Sequence, residues 1–441
     1  MDRGQNKLFY IRTFGCQMNE HDSVKITGLL ASLGFTKTDR PEHAGLLLFN
    51  TCTIRQKAHD KAFSEIGRAV VFKNNGSGPL IGVCGCVAQE EGARLLSRFP
   101  AIDLVFGPDQ IYKLPALLEM VKTQKRPAVA TELINAADDY HFLDALETTK
   151  LNGPCAYVTI MKGCNSQCAY CIVPQVRGAE VYRSPRDIIR EIEFLAERGC
   201  REVTLLGQNV NSYPEFGALI RQVAQNTGVD RIRFTSPHPK DVREDLIEEY
   251  AVNPKLCPHI HLPLQSGSDL VLRKMQRAYN TKTYRVKVEK LRRARPEIAI
   301  TTDMIVGFPG EDEAEFQKSL DFVQEIQFDS LFGFAYSPRP GTEAAEIKET
   351  VPQEVKDERL QKLFQVQNEI SLNKNQRHVG LIEPVLVEGR DKRGQGKLRG
   401  RNPQNKVVNF PGQEGCRGDI VEVRVTRALS YSLEGECERH G

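Results

Sequence analysis

Six apolar runs in the middle of the chain constrain its fold most: "CAYVTIMKG", "REVTLLGQN", "RIRFTSPHP", "PHIHLPLQSG", "IAITTDMIVGFPG" and "SLFGFAYSPRPGT". Each reads as a strand, and helical patterns separate them, for instance "PRDIIREIEFLAERG" with a proline near its start and Gly199 at its end. Six βα units in series predict an α/β barrel or partial barrel, whose functional loops follow the strands. The polar motifs obey that rule: "GQN", "SPHP", "QSGSD", "GFPGE" and "SPRPGT" each close a run, and the first run leads into "GCNSQCAYC".

That last stretch sets Cys164, Cys168 and Cys171 in a C-x-x-x-C-x-x-C pattern. Structural zinc is almost always four-coordinate, and no fourth Cys or His lies close in sequence; His238, His259 and His261 could reach the loop only through the fold. An iron–sulfur cluster with one iron not held by protein fits three thiolates better, because it leaves a coordination site open for a substrate or cofactor.

The amino-terminal region repeats the alternation. "KLFYIRTFGC", "AGLLLFNTC" and "LIGVCGC" are strand-like runs that end at Cys16, Cys52 and Cys86, with helical patterns between them such as "SVKITGLLASLG" (Val24, Ile26, Leu29, Leu30) and "AHDKAFSEIGRAVVF". The order implies an open parallel α/β sheet whose carboxyl edge gathers ligands, so the three cysteines would meet there across sequence gaps of 36 and 34 residues. The plain alternative is ordinary buried cysteines. Cys84, two residues before Cys86, reads as core packing.

A stretch without periodicity, from about Gln124 to Pro154, reads as a linker. After the barrel, "PQEVKDERLQKLFQVQNEISLNKN" is a charged helix whose Val355, Leu363, Phe364 and Ile370 would brace it. From about Gln376, runs alternating in period two between glycine-rich turns predict a small β-barrel. Within "VLVEGRDKRGQGKLRGRNPQNKVVNF", seven Lys or Arg face two acids, so this module is a candidate surface for single-stranded nucleic acid, against the alternative of a solvated loop. The domain boundaries expected are 6–126, a linker 127–149, 150–375 and 376–441.

With 441 residues and a formal net charge of +3, any nucleic-acid surface must be local. The start lacks a leader pattern and no apolar run approaches a membrane span, so a cytoplasmic, non-membrane protein is expected. In a reducing compartment its twelve cysteines favour metal or catalytic work over disulfides.

The cysteine loop after a first barrel strand, with Tyr170 directly before its last cysteine, resembles the radical S-adenosylmethionine superfamily. "TFGCQMNEHDS", "FNTCTIRQKA" and "GCVAQEEG", with "LLGQNVNSY", "FTSPHP", "HLPLQSGSD", "DMIVGFPGE" and "YSPRPGT", resemble the methylthiotransferase family over nearly the whole chain, and the last module looks like a TRAM domain. The resemblance implies two 4Fe-4S clusters, one at Cys164, Cys168 and Cys171, whose open iron takes S-adenosylmethionine, and an auxiliary one at Cys16, Cys52 and Cys86. It implies methylthiolation at C2 of N6-dimethylallyladenosine, position 37 of tRNA, using two S-adenosylmethionine molecules: one yields a 5'-deoxyadenosyl radical, the other donates the methyl group. Tyr170, Gln208, Asn209, Ser236, Gly307 and Glu311 would contact the cofactor. Arg177, Arg183, Arg399 and Arg401 would contact substrate: Arg177 and Arg183 follow the cysteine loop and could pair with a carboxylate or an RNA phosphate, against the alternative of plain surface charges, while Arg399 and Arg401 belong to a basic arc with Arg390, Lys392, Arg393 and Lys397. The partners implied are a tRNA anticodon stem-loop and an electron-donor protein, and the chain is expected to be a monomer. Other branches of the family act on threonylcarbamoyl-adenosine in tRNA or on an aspartate of a ribosomal protein; a non-enzymatic RNA-binding protein with structural zinc is the alternative outside it. Gln175 and Val176 stand where the family usually has Tyr-Thr, and Tyr182 where Ser is common, which bears on substrate-side contacts.

Overall fold

The computed structural model describes residues 7–53, 56–73, 78–136, 139–144, 151, 153–391, 396–412 and 414–438. The chain forms two compact units: residues 1–150, 159–165 and 172–187 make the first, and residues 151–158, 166–171 and 188–441 the second.

The first unit is built on β1 (Leu8–Thr13), β2 (Thr36–Lys37), β3 (Leu46–Thr51), β4 (Leu80–Gly85), β5 (Leu104–Phe106) and β6 (Ala128–Ala130), in the order β2-β1-β3-β4-β5-β6. All neighbours are parallel. β3 and β4 are buried at every residue, as strands covered on both faces must be. β6 corrects the linker reading, since its Leu104↔Ala128 and Phe106↔Ala130 pairings make it a member of the sheet. The run "AVA" is too short to announce a strand; its partner β5 makes it one.

The helix Gln17–Ser32 departs from its apolar pattern. Ile26 and Leu30 are buried, Val24 is exposed, and the buried face also carries Asn19, His21, Asp22, Ser23 and Lys25. A polar face inside a domain needs partners for every group, and it marks where the site lies.

In the second unit, β7 (Cys155–Thr159) opens the barrel strands. A short antiparallel pair follows in the first unit, β8 (Met161–Lys162) with β9 (Val181–Tyr182). The barrel series resumes with β10 (Glu202–Leu206), β11 (Arg231–Phe234), β12 (His259–His261), β13 (Ala299–Val306) and β14 (Ser330–Ala335). They form two three-stranded sheets, β11-β10-β7 and β12-β13-β14, joined by a parallel bridge between Ile232 and Leu256. Each strand therefore lies beside the next in sequence, the arrangement a series of βα units predicts. The helix Gln353–Gln376 packs on β14, where Gly333 leaves room: a Cβ there would stand 2.7 Å from Leu360 and 3.1 Å from Phe364. Of its expected apolar face, Leu363 and Ile370 are buried.

β15 (Ile382–Arg390), β16 (Leu398–Arg401), β17 (Val407–Phe410), β18 (Ile420–Ala428) and β19 (Leu433–Cys437) close a five-stranded barrel around Val385, Val387, Val408, Phe410, Val423 and Leu433. It is tied to the βα part of the same unit by Arg231, which donates to the carbonyls of Arg401 and Pro384, and by Arg233, which donates to those of Pro403 and Asn402. Lys406 adds an ion pair to Asp329 at 3.2 Å. Among the described residues no helix is long and apolar enough to cross a membrane.

Candidate cluster and cofactor sites

β1, β3 and β4 are adjacent, and Cys16, Cys52 and Cys86 follow their carboxyl ends. Two glycines permit the approach. Gly15 has φ +110° and a Cβ there would collide with Cys52; Gly85 has φ +88° and a Cβ would strike the Asn50 side chain and the Thr51 backbone. Two asparagines then lock the loops. Asn19 donates to the carbonyls of Phe14 (2.9 Å) and Thr51 (2.8 Å), and Asn50 donates to the carbonyl of Asn19 (2.8 Å) and to Ser23 (2.9 Å).

A buried cation completes this edge. Arg177, at the end of the helix Val173–Arg177, is 5% exposed and donates to Asp22 at 2.8 Å and Asn19 at 3.2 Å. Its guanidinium also hydrogen-bonds Cys86. A hydrogen bond from Cys52, aided by Arg177 and opposed by burial, brings the Cys16 thiol down to about 6. Burial pushes the Cys86 thiol up, with Arg177 acting against it. Arg177, expected to contact substrate, thus lies buried inside the first unit beside the cysteines, with the Asp22 carboxylate as its partner. Val176 packs with Ile172 against Cys86, so this departure from the family pattern touches the cysteine edge, whereas Gln175 is exposed. Cys84 lies instead in the apolar cluster of Phe9, Ile26, Leu48 and Phe106.

Arg183 is also buried, its guanidinium paired with Asp144 and bonded to the Thr159 carbonyl. Tyr182 donates to Glu180 at 2.6 Å. Nearby a cavity of about 40 Å3 is lined by His21, Asp22, Asp109, Tyr140, Lys162 and Arg177, among others. Lys162 pairs with Asp109 at 2.7 Å, and His21 Nδ1 meets Thr159 at 3.0 Å. Tyr140 to Leu143, expected in the linker, line this cavity.

The cysteine loop is shared by the two units, Cys164 falling in the first and Cys168 and Cys171 in the second. Within the first, the Cys164 N–H donates to the Gly178 carbonyl at 3.1 Å. Within the second, the Ala169 N–H donates to the Met275 carbonyl, and the Ala169 carbonyl accepts from Ala344. Arg277 donates to Cys168 Sγ at 3.0 Å and to the Tyr279 hydroxyl at 2.8 Å. Tyr170 sits edge-on to Phe308, and burial pushes its hydroxyl well up.

The other rim positions follow strand ends. Gln208 and Asn209 follow β10, and Asn209 donates to Asp241 at 2.9 Å. Ser236, Gln265 and Gln276 hold φ of +59°, +74° and +55°, a conformation that costs non-glycine residues roughly 1–3 kcal/mol and clusters at functional sites. Gly307 (φ +70°) donates its N–H to Glu311 at 2.7 Å, and the same carboxylate oxygen accepts from Arg359 at 2.9 Å, so Glu311 braces the loop. The three histidines that could have completed a zinc site have other partners. His238 accepts from the Lys240 N–H and is pushed down to about 2 by burial, while His259 and His261 face Thr301. Among the described residues no three His, Cys, Asp or Glu side chains close around a single ion. An all-thiol donor set beside the glycines Gly15 and Gly85 suits an iron–sulfur cluster.

Of the basic arc, Lys392 and Arg393 lie outside the described residues. Arg401 pairs with Glu388 at 2.8 Å, Arg399 approaches the same carboxylate at 3.9 Å, and Lys397 pairs with Glu434 at 3.1 Å.

Residues 8–107 match the uncharacterized protein family UPF0004, residues 158–323 the radical SAM superfamily, and residues 376–437 the TRAM domain. A tRNA-2-methylthio-N(6)-dimethylallyladenosine synthase of Acidovorax sp. (strain JS42) is 45% identical over 442 residues, covering 98% of this chain and 97% of that protein. The chain belongs to the radical S-adenosylmethionine methylthiotransferase family. A second such synthase, of Delftia acidovorans (strain DSM 14801 / SPH-1), is 44% identical over 98% of this chain and 99% of its own. The cobalamin- and [4Fe-4S]-bound radical S-adenosylmethionine methyltransferase TsrM from Kitasatospora setae shares the fold at a TM-score of 0.58 and 16% identity, over 78% of this chain and 77% of that one. In this methylthiotransferase, sequence reasoning missed Asn19, Asn50 and Arg277. The signal for the first two was an asparagine within three residues of Cys16 and of Cys52; Arg277 had none.

Proposed function

We infer that this chain transfers a methylthio group to C2 of N6-dimethylallyladenosine in tRNA. The observation that carries the reading is 45% identity to a synthase of that name across 98% of the chain, with no domain lost. The finer reading is position 37 in the anticodon loop, with one 4Fe-4S cluster at Cys164, Cys168 and Cys171 and an auxiliary one at Cys16, Cys52 and Cys86.

C2 of adenine bears an aromatic C–H with no acidic proton and no leaving group, so acid–base side chains alone cannot replace it with sulfur. When bound, a cluster and S-adenosylmethionine supply the one-electron chemistry that such a bond requires. The chain's own residues bind, orient and exclude. Tyr170, held edge-on to Phe308, offers an apolar face for an adenine ring. Asn209, Ser236 and Gly307 shape the rim where the cofactor would lie. Buried Arg177 holds a positive charge beside the thiolates of the auxiliary site, where anionic sulfur accumulates.

A base must leave its stack to react, which costs a few kcal/mol and less in a single-stranded loop, so an anticodon-loop purine suits the site. The TRAM arginines Arg399 and Arg401 would grip phosphate by charge, in competition with Glu388. A cytoplasmic monomer served by an electron-donor protein completes the proposal.

The test is mass spectrometry of tRNA nucleosides from a deletion strain restored with wild type or Cys164→Ala. The methylthio nucleoside should vanish on deletion, return with wild type and stay absent with the variant. Its persistence in the deletion strain would sink the substrate assignment.

A further inference from the structure

We propose that Arg277 raises the reduction potential of the cluster at the Cys164, Cys168 and Cys171 loop, by hydrogen-bonding one ligand sulfur and fixing a positive charge beside it. The inference rests on the reading that Cys168 is a cluster ligand.

Arg277 follows the helix Asp269–Lys274, in a turn where Gln276 takes the left-handed conformation at φ +55°. That turn is bound to the cysteine loop at two points: the Ala169 N–H donates to the Met275 carbonyl at 3.0 Å, and Arg277 Nη1 donates to Cys168 Sγ at 3.0 Å. The guanidinium is oriented from behind. Its Nε donates to the Tyr279 hydroxyl at 2.8 Å, it lies 4.9 Å from the centre of the Tyr279 ring, and that hydroxyl is anchored 2.9 Å from the carbonyls of Pro263 and Leu264. His238 packs edge-on to the same ring, 5.6 Å between centres. A half-buried arginine is ordinarily paired with a carboxylate. The polar partners of Arg277 are the neutral Tyr279 hydroxyl and a sulfur, so its charge is not cancelled by an ion pair among the described residues.

The physical effect has a definite sign. Three thiolates and a 4Fe-4S core gain one more negative charge when one electron enters from the donor protein, and no protein bond is made or broken. A fixed cation at the sulfur stabilises the more negative state. An N–H···S bond also withdraws electron density that the thiolate would otherwise give to iron, which acts in the same direction. Arg277 is therefore a positioning residue acting through Cys168.

The experiment is an EPR-monitored redox titration of the full-length, anaerobically reconstituted protein, following the reduced-cluster signal that changes when S-adenosylmethionine is added. Arg277→Gln should lower that midpoint by at least about 59 mV, a tenfold change in the oxidised-to-reduced ratio at fixed potential for one electron. Arg277→Lys, which keeps the charge and loses the fork, should lower it less, and Tyr279→Phe, which frees the guanidinium, should also lower it. The auxiliary cluster's midpoint should not move in any variant. An unchanged midpoint in Arg277→Gln with weakened S-adenosylmethionine binding would make Arg277 a cofactor clamp and overturn the proposal. Equal loss of this cluster's iron in the Gln and Lys variants would reduce Arg277 to a loop brace and overturn it too. Normal iron binding in the Cys164→Ala, Cys168→Ala and Cys171→Ala variants would refute the cluster assignment itself, a distinct failure.

Discussion

The two cysteine triplets solve one chemical problem in opposite ways. Cys164, Cys168 and Cys171 fall within eight residues, so a single loop delivers them; Cys16, Cys52 and Cys86 span 71 residues and meet only because β1, β3 and β4 are neighbours. The local set needs little beyond a turn. The dispersed set needs a scaffold of non-sulfur residues: the two left-handed glycines Gly15 and Gly85, the asparagines Asn19 and Asn50, and the Asp22–Arg177 pair. Dispersed sites should therefore be destroyed by mutations that touch no ligand, and local ones should not.

The largest effect separates the triplets directly. Cys168→Ala should abolish reductive cleavage of S-adenosylmethionine and all methylthio product. Cys86→Ala should leave 5'-deoxyadenosine formation and lose the methylthio product. Cys84→Ala, in the apolar core, should keep both activities and cost roughly 1 kcal/mol of stability, as small core truncations do. Iron content and product analysis by chromatography check all three; if Cys84→Ala rather than Cys86→Ala loses iron, the assignment of the third auxiliary ligand is reversed.

Scaffold changes come next. Gly15→Ala sets a methyl group against Cys52 in a backbone conformation that alanine resists, so iron per chain should fall from two clusters towards one with the other cluster's EPR signal intact. Arg177→Leu leaves Asp22 buried and uncompensated, which should cost about 3–5 kcal/mol in urea unfolding. Asp22→Leu combined with Arg177→Leu should recover much of that loss in stability without restoring the auxiliary cluster. Full recovery of both would show that Arg177 serves the fold and not the thiolates.

How far the sequence could be read follows the same division. The loop cysteines, the six βα units and the terminal β-barrel were legible because each is written in contiguous residues with a period or spacing. The edge formed by Cys16, Cys52 and Cys86 was legible only through the strand order inferred for the region. What escaped was whatever depends on tertiary partners. β6 is three residues long and exists by pairing with β5. The partner of Arg177 escaped because a buried arginine has no sequence signature apart from its carboxylate, here Asp22, 155 positions away. The basic arc counted as +5 in sequence with Glu388 already subtracted, but Glu434, on β19 and outside that stretch, pairs with Lys397 and offsets a further part of the charge.

The smallest expected effect tests whether the polar scaffold is sealed from water. His21 lies on the buried face of the helix Gln17–Ser32, and burial holds its imidazole well below its usual titration range, with the positive charges of Lys25, Arg183 and Arg177 acting in the same direction. Asp22 stands beside it, paired with Arg177. In the unfolded chain His21 takes up a proton near its ordinary value of about 6.5. Below that pH the unfolded state binds a proton that the folded state refuses, so stability should fall as pH drops, by about 1.4 kcal/mol at one unit below the unfolded value. Comparing unfolding free energies of wild type and His21→Gln at pH 7.5 and 5.5 isolates this group, because the buried His238 and His259 contribute equally to both proteins. The wild type should lose about 1.4 kcal/mol more than the variant over that interval. Parallel losses would mean that His21 accepts its proton in the folded state, and that the buried polar face behind Cys16 is open to solvent rather than a closed frame for the dispersed site.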